Sequence, residues 1–108
     1  MDTKHVLAAL SALAQESRLA IFRLLIQAGP DGMHAGGIGD ALGIASSALS
    51  FHLKELTQAG LVTARQEGRF VIYTAEFATM NGLIGFLTEN CCAGAPCGID
   101  GPACSTAR

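Results

Sequence analysis

Apolar residues near the start of the chain recur at three- and four-residue steps. Val6, Leu10 and Leu13, with Leu7 beside them, form such a stripe between Thr3 and Ala14, and that period predicts a first helix. Leu19, Phe22, Leu24, Leu25 and Ile26 repeat the pattern over residues 15–27, until Ala28-Gly29-Pro30-Asp31-Gly32 removes the helical option. This second helix is expected to be the central helix of the core. Residues 35–42 read as a short helix weakened by Gly36, Gly37 and Gly39, each costing up to about 1 kcal/mol against alanine. Gly43 makes a tight stop. Ser46 or Ser47 is then expected to cap a longer helix with Leu49, Leu53 and Leu56 facing inward, closed by Ala59-Gly60. Short helix, glycine turn and longer helix is helix-turn-helix order.

Residues 61–66 and 69–74 are rich in β-branched and aromatic side chains, and Glu67-Gly68 between them supplies a residue tolerant of positive φ. A β-hairpin is predicted, the wing of a winged helix-turn-helix. Met80, Leu83, Ile84 and Leu87 make another helical stripe over 77–88, with Phe86 apolar on a neighbouring face. That helix is too apolar to stand alone. Beyond it, proline, glycine and small residues dominate and cannot assemble a core. The expected organisation is therefore a winged helix-turn-helix domain over 1–88, to which the DNA-binding and dimerisation roles argued below are assigned, and a flexible Cys-rich tail over 89–108, the fold being mainly α with a small β-hairpin.

A chain of 108 residues suits one domain, since single cores are usually built from roughly 100 to 150 residues. Half of its residues are hydrophobic, yet no uninterrupted apolar run approaches the roughly 20 residues that cross a bilayer, and the first residues lack the basic-then-apolar order of a signal peptide. A cytoplasmic protein without membrane attachment is expected. All four cysteines, Cys91, Cys92, Cys97 and Cys104, fall at the C-terminal end, whereas a disulfide framework would staple distant parts of the chain. In a reducing compartment, thiols ready for a soft metal follow more naturally than disulfides.

Ser46, Ser47 and Ser50 place short hydroxyls at the start of the longer helix, with His52 and Lys54 further along. Such a helix suits a major groove: amides and hydroxyls reach phosphates and base edges, Lys54 neutralises phosphate, and Arg65 and Arg69 of the wing reach the adjacent backbone or minor groove. Against this stand a capped, solvated surface helix for the serines and an ordinary surface or core role for His52. The formal charge of −2 also argues against nucleic acid, because phosphate contacts supply most non-specific affinity. Placement answers it, with Lys54, Arg65 and Arg69 clustered and Asp2, Asp31, Glu76, Glu89 and Asp100 lying outside that stretch. The chain shows no paired carboxylates, no nucleophile with an oriented base and no phosphate-binding loop, so an enzyme is not expected.

The stretches Arg18-Leu19-Ala20-Ile21-Phe22-Arg23-Leu24-Leu25, Ser50-Phe51-His52-Leu53-Lys54-Glu55-Leu56-Thr57-Gln58-Ala59-Gly60-Leu61-Val62 and Glu67-Gly68-Arg69 resemble the ArsR/SmtB metalloregulators. The resemblance covers nearly the whole chain. It implies a homodimer formed by the first and last helices, bound to double-stranded operator DNA and repressing its own resistance operon until a metal binds. The apolar outer stripes agree: Val6, Leu10, Leu13, Met80, Leu83, Ile84 and Leu87 exceed what so small a core readily hides, and a dimer would cover them. The alternative is that they pack within one protomer.

Metal sites in this family occur on different elements. One arsenic site uses cysteines at the first helix of the helix-turn-helix, where this chain has Met33-His34-Ala35-Gly36, and a zinc site uses Asp and His on the last helix, where residues 77–88 contain neither. The tail remains. Glu89-Asn90-Cys91-Cys92-Ala93-Gly94-Ala95-Pro96-Cys97 resembles the vicinal-cysteine tail of a subgroup sensing trivalent arsenic and antimony. As(III) is soft and takes three thiolates, so Cys91, Cys92 and Cys97 are the candidate ligands, Cys104 being an alternate third. As(III) or Sb(III) is thus the expected inducer. A four-thiol zinc or cadmium site, methylated arsenite on Cys91 and Cys92 alone, and a thiol redox or metal-buffering protein stay open as alternatives, although the paired Cys-x-x-Cys spacing of structural zinc is absent.

Overall fold

The computed structural model describes residues 1–91. Helix α1 (Thr3–Leu13) opens on Asp2, whose carboxylate accepts from the His5 amide at 2.9 Å and lies 2.6 Å from the His5 ring Nδ1. Those hydrogen bonds hold the Asp2 carboxyl below its ordinary pKa. The helix buries Val6, Ala9 and Ala12, one per turn. Gln15 caps α2 (Glu16–Ala28) by accepting from the Arg18 amide at 2.8 Å. Ile21, Phe22 and Leu25 of α2 are buried, as its stripe predicts.

The turn cluster after α2 does more than end a helix. Gly29–Asp31 forms a 3-10 turn, and Gly32, at φ +67°, then swings the chain beneath the sheet. A β-carbon on Gly32 would sit 2.5 Å from the Tyr73 carbonyl oxygen, so the close crossing requires glycine. The next two residues form β1 (Met33–His34), a strand the apolar pattern does not predict. It pairs antiparallel with β3 (Phe70–Ala75), Met33 opposite Tyr73 and His34 opposite Ile72.

Helix α3 (Ala35–Leu42) stops at Gly43 in the left-handed conformation, φ +68°. Helix α4 (Ser46–Gln58) follows and buries Leu49, Leu53 and Leu56. Strand β2 (Val62–Glu67) pairs with β3 through six residues, from Val62 opposite Ala75 to Glu67 opposite Phe70. The sheet is therefore three-stranded in the order β1-β3-β2. The hairpin turns on Gly68 and Arg69, one residue later than the expected Glu67-Gly68. Gly68 at φ +60° meets the requirement of the first central residue of a two-residue loop. Helix α5 (Phe77–Leu87) starts at Glu76, whose side chain accepts from the Ala78 amide.

The core lies where α2, α3, α4 and the start of β2 meet. Ile21, Leu25, Ile38, Leu56, Leu61 and Val62 are its most deeply buried large side chains. No helix of the described residues is long and apolar enough to cross a membrane.

Candidate nucleic-acid interface

Helix α4 has two unlike sides. At about 100° per residue, Leu49, Leu53 and Leu56 share one side, exposed by at most 3%. Ser47, Ser50, Phe51 and Lys54 fall within an arc of about 100° opposite, and all four are exposed. The leucines fix the helix and the serines stay exposed. The cap is not where the sequence suggested it. Ala45, in extended conformation, occupies the N-cap, and Ser46 and Ser47 are already helical. The hydroxyls of Ser46, Ser47 and Ser50 make no hydrogen bond among the described residues.

His52 is placed differently. It is half-buried, and its ring Nδ1 lies 3.4 Å from the Arg18 guanidinium. The Arg18 Nε–H in turn donates to the Ala12 carbonyl at 2.7 Å. An arginine on α2 thus ties the end of α1 to α4, and this side of His52 faces the protein rather than the open face of the helix. Lys54 is exposed beside a groove of about 260 Å³ between α4 and the sheet, lined also by Ser50, Thr57, Gln58, Ala64 and Tyr73.

The two wing arginines divide. Arg69 sits exposed at the hairpin tip. Arg65, read from sequence as a DNA contact, folds back instead: its Nη1 and Nη2 donate to the Pro30 and Asp31 carbonyls at 3.2 and 3.1 Å, and its Nε pairs with Glu67. The physical reason is register. Arg65 lies opposite Ile72, whose other neighbour is His34 of β1, so its long side chain reaches across to the 3-10 turn just before β1. His34 packs against the Phe70 ring at 5.1 Å between centroids, a second brace of the wing.

The outer helices hold the other expected surface. Leu10, Ile84 and Leu87 are exposed, whereas Leu13 and Met80 are half-buried and line an apolar groove of about 300 Å³ together with Leu19, Phe22 and Ile26. Val6 and Leu83 correct the expectation of a subunit interface: at 3% and 7% exposure they belong to the protomer's own core, because each lies on the inward side of its helix. Cys91, half-buried, lies four residues beyond the end of α5, its amide donating to the Thr88 carbonyl at 2.9 Å. Cys92, Cys97 and Cys104 lie outside the described residues. Among the described residues no three His, Cys, Asp or Glu side chains gather as a metal site.

Phe51 is the residue that sequence reasoning passed over. Its ring is 56% exposed on the polar side of α4 and meets the His52 ring edge-on at 5.8 Å between centroids. Its helical phase opposite Leu49, Leu53 and Leu56 is the signal that finds it.

The helix-turn-helix domain family matches residues 13–65. An HTH-type transcriptional regulator of Bacillus subtilis is 40% identical over 54% of this chain and 57% of its own length. A Halobacterium salinarum protein described as an arsenical resistance operon repressor is 41% identical over 68% of this chain and 54% of its own. The chain thus spans just over half the length of these two relatives. The transcriptional activator HlyU of Vibrio cholerae is 34% identical over 77% of this chain and 74% of its own. Among solved structures, an ArsR-like transcriptional regulator from Rhodococcus superposes with a TM-score of 0.71 at 27% identity, over 83% of this chain and 81% of that one. A homodimeric winged helix-turn-helix DNA-binding domain from Mycobacterium bovis gives 0.65 at 28%, over 81% of each. These relatives are regulators rather than enzymes, their shared architecture is the one built up above from α3, α4 and the wing, and the chain belongs to the ArsR/SmtB-type winged helix-turn-helix regulators.

Proposed function

We propose that the protein is a cytoplasmic repressor that binds operator DNA as a homodimer and releases it when As(III) or Sb(III) is captured by Cys91, Cys92 and Cys97, with Cys104 as the alternate third thiol. The observation that carries the DNA-binding half is the open side of α4, where Ser46, Ser47, Ser50 and Lys54 stand exposed beside a wing tipped by Arg69. Helix N-terminal hydroxyls and amides reach base edges and phosphates, and the two cations neutralise backbone charge. The homodimeric neighbour and the exposed Leu10, Ile84 and Leu87 support association through α1 and α5.

The inducer half rests on donor chemistry and on one relative described as an arsenical resistance operon repressor. Thiolates are the soft donors that trivalent arsenic prefers. Cys91 begins the thiol cluster four residues beyond α5, so a ligand drawing Cys97 back to Cys91 and Cys92 would pull on the end of the helix assigned to dimer contact. Release further requires that the ligand favour the DNA-free conformation, by about 1 to 3 kcal/mol in typical coupled systems.

The test is arsenite titration of the protein bound to duplex DNA from its own promoter, at fixed salt. Arsenite should dissociate the intact protein. Cys91→Ser, Cys92→Ser and Cys97→Ser should retain DNA but lose the response, and Cys104→Ser should keep most of it. Dissociation by zinc with indifference to arsenite would defeat the inducer assignment. A response requiring Cys104 but not Cys97 would change the ligand set, and thiol oxidation releasing DNA without any metalloid would favour a redox switch.

A further inference from the structure

Phe51 is the large apolar side chain on an exposed face that otherwise carries Ser47, Ser50, Lys54 and Gln58. It is 56% exposed, and its four-residue offset from Ser47 places it about one turn further along α4, about 6 Å on. Within an arc of about 100° it is flanked by Ser47, Ser50 and Lys54. Nothing in the protomer's core uses it: Leu49, Leu53 and Leu56 hold α4 in place from the other side. Lys54 follows it by one turn, beside the half-buried Glu55, and Arg69 is exposed at the wing tip.

The floor of a major groove offers hydrogen-bond donors and acceptors at every base pair but one kind of apolar group, the C5-methyl of thymine. The hydroxyls of Ser47 and Ser50, which precede Phe51 on the helix, suit the polar edges, and the phenyl ring is the large apolar group of this face that suits the methyl. We propose that Phe51 is a specificity-determining residue that reads a thymine methyl, one in each half-site of the operator. This rests on the reading of α4 as the DNA-entering helix. A ring in this position makes little use of the phosphates, so it should discriminate among sequences without adding to salt-dependent affinity.

The experiment begins with selection of preferred duplexes from a random pool by the full-length protein. Each thymine of the selected duplex is then replaced singly by deoxyuridine, which removes the methyl and leaves every hydrogen-bonding edge intact. Loss of one buried methyl corresponds to about a fourfold loss of affinity. We expect one thymine per half-site to show that loss with the wild-type protein, and Phe51→Ser to bind the thymine and uracil duplexes equally. Phe51→Leu, which keeps an apolar tip, should retain part of the difference. The slope of log affinity against log salt should be the same for all three proteins. A uracil penalty of equal size in wild type and Phe51→Ser, or no penalty at any thymine, would overturn the assignment of Phe51 while leaving DNA binding intact. A wild type that selects no sequence over random duplex would instead overturn the reading of α4 on which it rests.

Discussion

Helices α4 and α5 invert the usual relation between composition and burial. Helix α4 is the more polar, with five serines, threonines and glutamines, a lysine and a glutamate among its thirteen residues, yet it places three leucines in the core. Helix α5 carries Phe77, Met80, Leu83, Ile84, Phe86 and Leu87, and only Leu83 is buried. The first helix completes its leucine contacts inside one chain and turns Phe51 and its polar residues outward. The second does not complete its apolar contacts among the described residues, and its remaining apolar surface, with Leu10 of α1, is the one the proposed dimer covers. Burial thus sorts the helices: α4 is anchored within its own chain, whereas α5 leaves most of its apolar surface uncovered by the protomer.

The strongest way to break this contrast is to remove the anchor of α4. Leu56→Ala deletes a side chain with no exposed surface and should lower unfolding stability by about 3 kcal/mol, within the roughly 2 to 5 typical of such truncations. Urea unfolding of the full chain measures it. A loss under 1 kcal/mol would mean that α4 is not fixed by its leucines. Next comes Leu87→Ala, at a position 59% exposed. Its two symmetry-related copies should together weaken dimerisation by about 2 kcal/mol, roughly thirtyfold in the dissociation constant, with helical content unchanged by circular dichroism. Sedimentation over a dilution series reads the shift, and an unchanged constant would remove α5 from the interface.

The smallest effect sharpens the comparison at the wing. Arg69→Ala should reduce the slope of log DNA affinity against log salt by about one per protomer, as expected of a phosphate contact. Arg65→Ala should lower affinity without changing that slope, since its guanidinium holds the wing to the 3-10 turn. Equal slope changes in both variants would return Arg65 to the DNA.

Much of this was legible in the chain because it depends on local periodicity. The helices predicted at 3–14, 15–27, 35–42, from Ser46 or Ser47 to Ala59, and at 77–88 are observed at Thr3–Leu13, Glu16–Ala28, Ala35–Leu42, Ser46–Gln58 and Phe77–Leu87, and both hairpin strands lie within a residue of their expected bounds. What escaped depends on distant partners. Met33–His34 is too short for alternation to register, and it is a strand only because β3 passes beside it. Arg65 and Val6 followed the same rule: their positions on strand and helix were legible, but which side of the element met protein was decided by residues tens of positions away. Phe51 was legible in phase and was overlooked because an apolar residue invites a core role.

The sheet contains two pairings with very different histories. Strands β2 and β3 close over a two-residue turn, at little entropic cost. Strand β1 reaches β3 only across the forty positions from Met33 to Tyr73, a loop that contains all of α3 and α4. Closing so long a loop by two residue pairs alone would not repay its entropy. That ladder therefore depends on the two helices packed between its ends. The hairpin closes locally and is fixed to the core through Val62 and Ala75, whereas β1 holds its place in the sheet only as long as α3 and α4 do.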